Sequence, residues 1–133
     1  MSDFLTVDPI RMFEIQGQAY RIMSQPITLS SGNNQQVIAG ASGYVIRIMG
    51  ICGITSPNAE ASITLKDGSG GTTLIDSLIA PYGGTGTDNP GNGLFNLPLV
   101  YCGYCQTTSG TGLYADVATA AIRGTIFYLK FLG

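Results

Sequence analysis

One stretch of the chain, residues 43–76, limits the possible folds more than any other. Its first part, residues 44–54, is almost unbroken apolar sequence with two glycines and one arginine, too short for a membrane span and too rich in Ile and Val to favour a helix. Residues 62–66 alternate between polar and apolar, as a half-buried strand does. The glycine-rich segment 67–71 then predicts a hairpin turn, and 72–75 predicts the returning strand. The stretch therefore predicts three consecutive strands, the first of them central, against which the rest of the chain pairs or packs.

The rest of the sequence continues with short strands separated by turn residues. Further strands are predicted over residues 18–29, 35–39, 94–97, 99–106, 111–118 and 122–132. In 18–29, the candidates for inward-facing side chains are Tyr20, Ile22, Ile27 and Leu29. Pro26 and Pro98 cannot donate to a β-ladder, so their strands are expected at sheet edges or at bends.

Alternation assigns side chains to faces within these strands. The residues expected on buried faces are Ile63, Leu65, Leu113, Ala115 and Val117. In the last strand, Thr125, Phe127, Leu129 and Phe131 share one face, and Ile126, Tyr128 and Lys130 share the other. Both faces of that strand therefore carry large apolar side chains.

About eight or nine short strands without a convincing helix are typical of an all-β sandwich or barrel, and we predict an antiparallel β-sandwich of two packed sheets. An eight-stranded, jelly-roll-like sandwich fits this number better than an immunoglobulin fold, because the chain has no tryptophan to complete the Cys…Trp…Cys pattern. Residues 1–17 have no clean period and are predicted to be an extended N-terminal arm. The sandwich domain is predicted over residues 18–133.

The composition points to assembly with other proteins. Charged residues are 11% of 133 residues, against about 25% in ordinary soluble proteins, so much of the surface is expected to meet another protein. The six Lys and Arg residues are scattered singly and the net charge is −2, which predicts no nucleic-acid partner. No apolar run is long enough to span a membrane, and the first residues lack a hydrophobic secretion region. We therefore expect a homo-oligomer or an assembly component made in a cytoplasm, with no membrane partner.

Residue types that carry chemistry are scarce. The chain has no histidine, which removes the commonest general base and the commonest metal ligand. Asp67, Asp88 and Asp116 lie in turns or on solvated strand faces, and nothing in the sequence pairs them as a glycosidase requires. The prediction is a protein that is not an enzyme, with no catalytic residue and no cofactor.

The cysteines and glycines have structural explanations. Cys102 and Cys105 have C-x-x-C spacing, but no helix follows to lower a thiol pKa, and with Cys52 alone to add they cannot complete a four-ligand zinc site. We expect buried, inert thiols. The glycine-rich segments 68–71 and 83–93 lack the lysine and helix of a phosphate loop and the later carboxylate of a calcium loop, so turns are expected and no metal site.

Tyrosines beside the long polar segment 82–93 allow a binding interpretation. Tyr82, Tyr101, Tyr104 and Tyr114 offer large contact areas at low entropic cost, which suits an interface between subunits or a surface for a glycan. Carbohydrate platforms usually exploit tryptophan, which is absent, so packing or subunit contact is the preferred interpretation. The segment itself is expected to be an exposed surface loop.

Several short motifs together resemble small virion proteins of tailed bacteriophages. The resemblance covers roughly residues 35–131 and is carried by the segments 37–39, 43–48, 61–69 and 113–117 and by the closing strand. It implies a capsid decoration or cement protein, a β-sandwich or jelly roll that sits on the head as an oligomer, often a homotrimer. Such a protein binds the major capsid protein in the assembled head and stabilises or ornaments it without catalysis, so its expected location is the capsid surface of the virion.

Two segments depart from that pattern, residues 1–20 and the loop 82–93, and they leave the attachment site open. We expect the N-terminal arm to contact the capsid or a neighbouring subunit. The alternative function is a tail- or head-associated host-recognition module in which the loop and its tyrosines bind a surface glycan.

Overall fold

The structure, a computed structural model, describes residues 12–15, 17–55, 61–80, 94–98 and 105–133; over 12–15, 77–80 and 94–98 it describes the backbone alone. Strands make up most of these residues, and no helix occurs among them. In chain order the strands are β1 (Met12–Ile15), β2 (Gln18–Arg21), β3 (Met23–Leu29), β4 (Gly32–Ile38), β5 (Tyr44–Thr55), β6 (Ala61–Asp67), β7 (Thr72–Ala80), β8 (Leu94–Pro98), β9 (Leu113–Ala118) and β10 (Ile122–Leu132).

Eight of these strands form two four-stranded antiparallel sheets. Sheet I has the order β3-β10-β5-β8, and sheet II has the order β4-β9-β6-β7. The pairings are nested, because β3 pairs with β10, β4 with β9, β5 with β8 and β6 with β7. The chain is thus equivalent to one long antiparallel ribbon, with its tip at the β6–β7 turn, rolled up into two layers. The predicted all-β, antiparallel β-sandwich is confirmed.

The main core lies between the two sheets. Sheet I contributes a row of isoleucines, and sheet II contributes the residues that alternation assigned to the buried face. Its most deeply buried members are Ile46, Ile48, Ile51, Ile63, Leu65, Leu113, Ala115, Ile122 and Ile126. Burial of each large aliphatic side chain stabilises the fold by about 1.5–3 kcal/mol.

A second apolar cluster lies on the outer side of sheet I, facing away from sheet II. Val45 and Met49 of β5 and Leu129 and Phe131 of β10 are all buried there. Strands β1 and β2 form a separate antiparallel hairpin. Two partly buried side chains, Tyr20 at the end of β2 and Ile22 just after it, pack against this cluster. The segment that follows Gly17 therefore covers part of the outer face of sheet I.

This second cluster corrects two predictions. Tyr20 and Ile22 were expected to face the core, but they pack on the opposite side of sheet I from sheet II. Residues 18–29 were expected to form one strand, but the chain breaks at Ile22 into β2 and β3. The reason is that both faces of sheet I are apolar, so periodicity alone does not show which side the inward residues meet.

All four sheet edges carry features that discourage pairing with a further strand. Pro26 in the edge strand β3 and Pro98 in the edge strand β8 lack the N–H that a ladder needs, as the sequence predicted. The register of edge strand β4 against β9 shifts at two points, and so does that of edge strand β7 against β6. Such irregularities are a common protection against open-ended strand addition, so contacts with other molecules are expected to use sheet faces or loops.

Several predictions lie outside the described residues. These are the arm residues 1–11, the loop 82–93, and residues 99–104 of the strand predicted over 99–106. Residues 12–15 of the predicted arm are the strand β1. The predicted strand 44–54 is confirmed as the central strand β5, although β5 belongs to sheet I and the following hairpin β6–β7 belongs to sheet II.

Candidate interaction surface

The predicted carboxylate candidates have structural partners. Asp67, at the tip of the rolled ribbon, accepts hydrogen bonds from the backbone N–H of Thr108 at 2.9 Å and from its hydroxyl group. These bonds join the β6–β7 turn to the loop before β9. Asp88 lies outside the described residues.

Asp116 on β9 is held by two partners. Its Oδ2 lies 2.5 Å from Nζ of Lys66 on β6, and its Oδ1 accepts a hydrogen bond of 2.7 Å from the backbone N–H of Asn34. The hydrogen bond from Lys66 and the one from Asn34 lower the pKa of the Asp116 carboxyl below its usual value. The structure brings Asp116 together with a lysine of the neighbouring strand, and the pair ties β6, β9 and the start of β4 to each other.

The glycine-rich segment 68–71 is a turn, as predicted. Gly68 and Gly70 have φ angles of 86° and 68°, which explains glycine at those positions. The N–H of Gly71 donates to the carbonyl of Gly68 at 3.1 Å, and the N–H of Gly70 donates to Oδ1 of Asn34 at 2.8 Å. The segment thus joins β6 to β7 and anchors their turn to β4.

The described cysteines are free thiols in dissimilar environments. Cys105 is buried, and desolvation raises the pKa of its thiol to about 11. Cys52, in the middle of β5, is partly buried. Cys102 lies outside the described residues. Of the two described cysteines, the predicted burial is therefore confirmed for Cys105, and the predicted inertness of the thiols stays a prediction.

The described part of the chain lacks two further features. Within it, no group of three or more His, Cys, Asp or Glu side chains converges as a metal site would require. No helix there has the length and apolar character needed to cross a membrane. Of the predicted binding tyrosines, Tyr114 is partly buried on β9, and Tyr82, Tyr101 and Tyr104 lie outside the described residues.

A cleft of about 430 Å³ opens between the hairpin and the end of sheet I. Arg47 lines this cleft, and its guanidinium carbon lies 5.1 Å from the centroid of the Phe131 ring. Gln106 Oε1 accepts hydrogen bonds from Nε and Nη2 of Arg47 at 3.0 and 2.9 Å. The ring of Tyr20 packs against that of Phe131 at a centroid distance of 5.7 Å and a tilt of 50°, and its hydroxyl donates to Gln18 Oε1 at 2.9 Å. The cleft is therefore a preorganised site with aromatic, amide and cationic groups.

Backbone pairing explains why Gln106 faces the cleft. The N–H of Ile48 donates to the carbonyl of Cys105 at 2.9 Å, and the N–H of Thr107 donates to the carbonyl of Ile46 at 2.8 Å. Residues 105–107 thus run alongside β5, with Cys105 and Thr107 buried and Gln106 between them only partly buried beside Arg47. The sequence signal for this arrangement is the alternation Cys-Gln-Thr, which is too short to interpret without the fold.

The exposed large apolar side chains belong to sheet I. Among the described side chains they are Met23 on β3, 45% exposed, Tyr44 on β5, 37% exposed, and Phe127 and Leu132 on β10, 37% and 70% exposed. Sheet II exposes none of comparable size within its described part. Alternation with Ile126 and Tyr128 of the main core places Phe127 on the outer face of sheet I, whereas Met23 pairs with Tyr128 and therefore shares the other face. A protein partner that covers these exposed apolar side chains would gain free energy from their desolvation.

Comparison with known proteins assigns no family to the chain: no protein-family model matches it, and no curated protein is significantly similar to it. The structure alone defines the class, which is an antiparallel β-sandwich whose exposed large apolar side chains, within the described residues, belong to sheet I. Because unrelated functions occur on one fold, the function has to be argued from the surface.

Proposed function

We propose that the chain is a structural protein of a tailed-bacteriophage virion that binds the assembled capsid as a decoration or cement protein. The observation that carries the proposal is the concentration of exposed apolar side chains on sheet I, including Phe127 and Leu132, in a chain with few charges. A surface of that kind is stabilised when another protein covers it. The nested pairing of the strands supports the proposal that the sandwich is jelly-roll-like, and jelly rolls occur in viral capsid domains.

The mechanism is stabilisation by mass action and requires no chemistry. A protein that binds the assembled shell, and not its free subunits, lowers the free energy of the shell by about 2.7 kcal/mol per site when its free concentration is a hundred times Kd. A homotrimer adds avidity, since its second and third contacts form within one complex. The protected sheet edges fit a closed oligomer that associates through faces and loops.

Co-sedimentation with purified empty heads tests the proposal. Wild-type protein is mixed with heads of the encoding phage that lack it, and occupancy is measured against protein concentration together with the mass of the free protein by light scattering. The expected result is saturable binding and a free trimer. A monomer that leaves the heads bare at micromolar concentrations refutes the proposal.

The arm residues 1–11 are proposed to reach the capsid or a neighbouring subunit. Deleting residues 2–11 leaves the hairpin of β1 and β2 intact, which makes it a cleaner test than a longer truncation. Occupancy of heads is expected to fall at unchanged thermal stability. Full occupancy by the truncated protein would show that the arm is dispensable for attachment.

The cleft favours a second candidate function, a host-recognition module that binds a surface glycan. Tyr20 and Phe131 provide ring surface, and the amide groups of Gln18 and Gln106 provide donors for sugar oxygens. Binding of the isolated protein to host cells, with none to heads, selects this function. Tyr20→Ala is then expected to abolish cell binding, while Tyr114→Phe on the opposite sheet leaves it unchanged.

A further inference from the structure

Charged residues are divided unequally between the two sheets. The strands of sheet I contain three basic residues, Arg47, Arg123 and Lys130, and no acidic one, a net charge of +3. The strands of sheet II contain one basic residue and three acidic ones, a net charge of −2; they are Lys66, Asp67, Asp76 and Asp116. The hairpin adds Glu14 and Arg21, which cancel. The two sheets of an acidic protein therefore carry net charges of opposite sign, and Arg123 is the exposed cation of sheet I.

The most accessible part of the basic sheet lies on its outer face along β10. Arg123, Thr125 and Phe127 alternate toward that face, and Arg123 and Phe127 are exposed. Phe127 follows Arg123 by four positions, which is about 13 Å along a strand, so one partner surface can contact both. The hairpin covers the cluster around Leu129 and Phe131 and leaves this half of the face open.

We propose that this open half of sheet I, centred on Arg123 and Phe127, docks on an acidic protein surface with an apolar centre. The inference rests on the proposed function and names the face that meets the shell and the chemistry of the shell surface. Arginine and aromatic side chains are the residue types enriched in the core of protein interfaces. Charge complementarity selects the acidic partner, since the open half offers the exposed guanidinium of Arg123 and the strands of sheet I contain no carboxylate.

Other occupants fit the face less well. Nucleic acid would need a line of phosphate contacts, whereas the strands of this sheet supply three cations separated by apolar residues. A second copy would have to apply its acidic sheet II, and because the two sheets face opposite ways such a contact repeats without closing and builds filaments. Docking on an acidic shell surface requires neither a line of cations nor a repeating contact between copies.

Two variants with matched charge changes test the inference on heads. Arg123→Glu combined with Phe127→Ser alters the basic face. Gln36→Glu combined with Thr73→Glu introduces the same charge change, at exposed positions of sheet II. The first variant is expected to lose head affinity at least about tenfold, with a weaker salt dependence between about 50 and 500 mM NaCl, and the second is expected to bind like wild type. Equal affinity of both variants overturns the inference while wild-type binding upholds the proposed function.

A separate measurement needs no heads. At pH 7.5, above the sequence pI of about 4.7, an acidic protein should pass through a sulfonate cation exchanger unless its basic groups are clustered. Wild-type protein and the sheet II variant are expected to be retained at low salt, and Arg123→Glu is expected to pass through. Passage of the wild-type protein through the column overturns the inference. Two other results would also overturn it: binding of duplex DNA by the wild-type protein that Arg123→Glu abolishes, and filaments of the wild-type protein that grow as its concentration rises.

Discussion

Replacement of Leu129 by alanine tests whether the outer face of sheet I is a true second core. Leu129 is 0% exposed although it points away from sheet II, and Val45, Met49 and Phe131 surround it under the hairpin. Leucine-to-alanine changes at fully buried sites cost about 2–5 kcal/mol, because transfer free energy is lost and a cavity remains. We expect about 3 kcal/mol here, which lowers the melting temperature by about 10–15 °C in a domain of this length.

Two further substitutions serve as references for the expected loss of unfolding free energy in Leu129→Ala. Leu113→Ala makes the same chemical change in the core between the sheets, where Leu113 is also 0% exposed, so its cost should match that of Leu129→Ala. Phe127→Ala changes a residue on the same face and strand as Leu129, but 37% exposed. Its expected cost is about 1 kcal/mol.

The assay is urea unfolding followed by circular dichroism at two protein concentrations. A fixed midpoint at both concentrations separates domain stability from oligomer dissociation. The free energy of unfolding is compared at constant m-value, since a changed m-value would signal a different denatured or native state. If Leu129→Ala costs less than Phe127→Ala, the hairpin does not cover this face, and the assignment of a second core is wrong.

Three other predictions follow from single contacts. Gly124→Ala places a Cβ against the backbone carbonyl of Cys52 in the neighbouring strand, so it should cost more than about 3 kcal/mol in the same unfolding assay or prevent folding. The pKa of Asp116 is lowered by Lys66 and by the N–H of Asn34, so its stabilising contribution is complete above the usual carboxyl pKa and is lost as the pH falls below that value and through the lowered pKa of the folded state. The stability difference between wild type and D116N should therefore shrink from about pH 5 to about pH 2. With its thiol pKa raised to about 11, Cys105 is about one part in a thousand thiolate at pH 8, and peptide mapping after brief alkylation should show Cys52 modified first.

Much of the fold follows from alternation in the sequence. The positions of Ile63 and Leu65 in β6, and of Leu113, Ala115 and Val117 in β9, were predicted because each strand has one apolar and one polar face. The prolines at sheet edges were predicted because proline lacks a donor. These features are local, and a single strand carries enough information to fix them.

The second core and the cleft were not predictable in the same way. In β5 and β10 both faces are apolar, and the register of β5 against β10 shifts between Phe127 and Tyr128. Alternation therefore separates Ile126 from Phe127 without showing which side sheet II covers. The cleft joins Tyr20, Arg47 and Gln106, which lie far apart in the sequence and meet only through strand order, and strand order leaves no periodic signal.

The division of charge between the sheets was missed for the same physical reason. In a rolled antiparallel ribbon the chain alternates between layers, so basic and acidic residues that belong to different sheets are interleaved along the sequence. Arg47 is followed by Asp67 and Asp76 of the other sheet, and Asp116 by Arg123 of the first. Scattered cations in such a sequence are therefore no argument against a basic surface. The net charge of each sheet is the quantity that bears on a docking surface, and it can be summed only when the strand order shows which residues belong to which sheet.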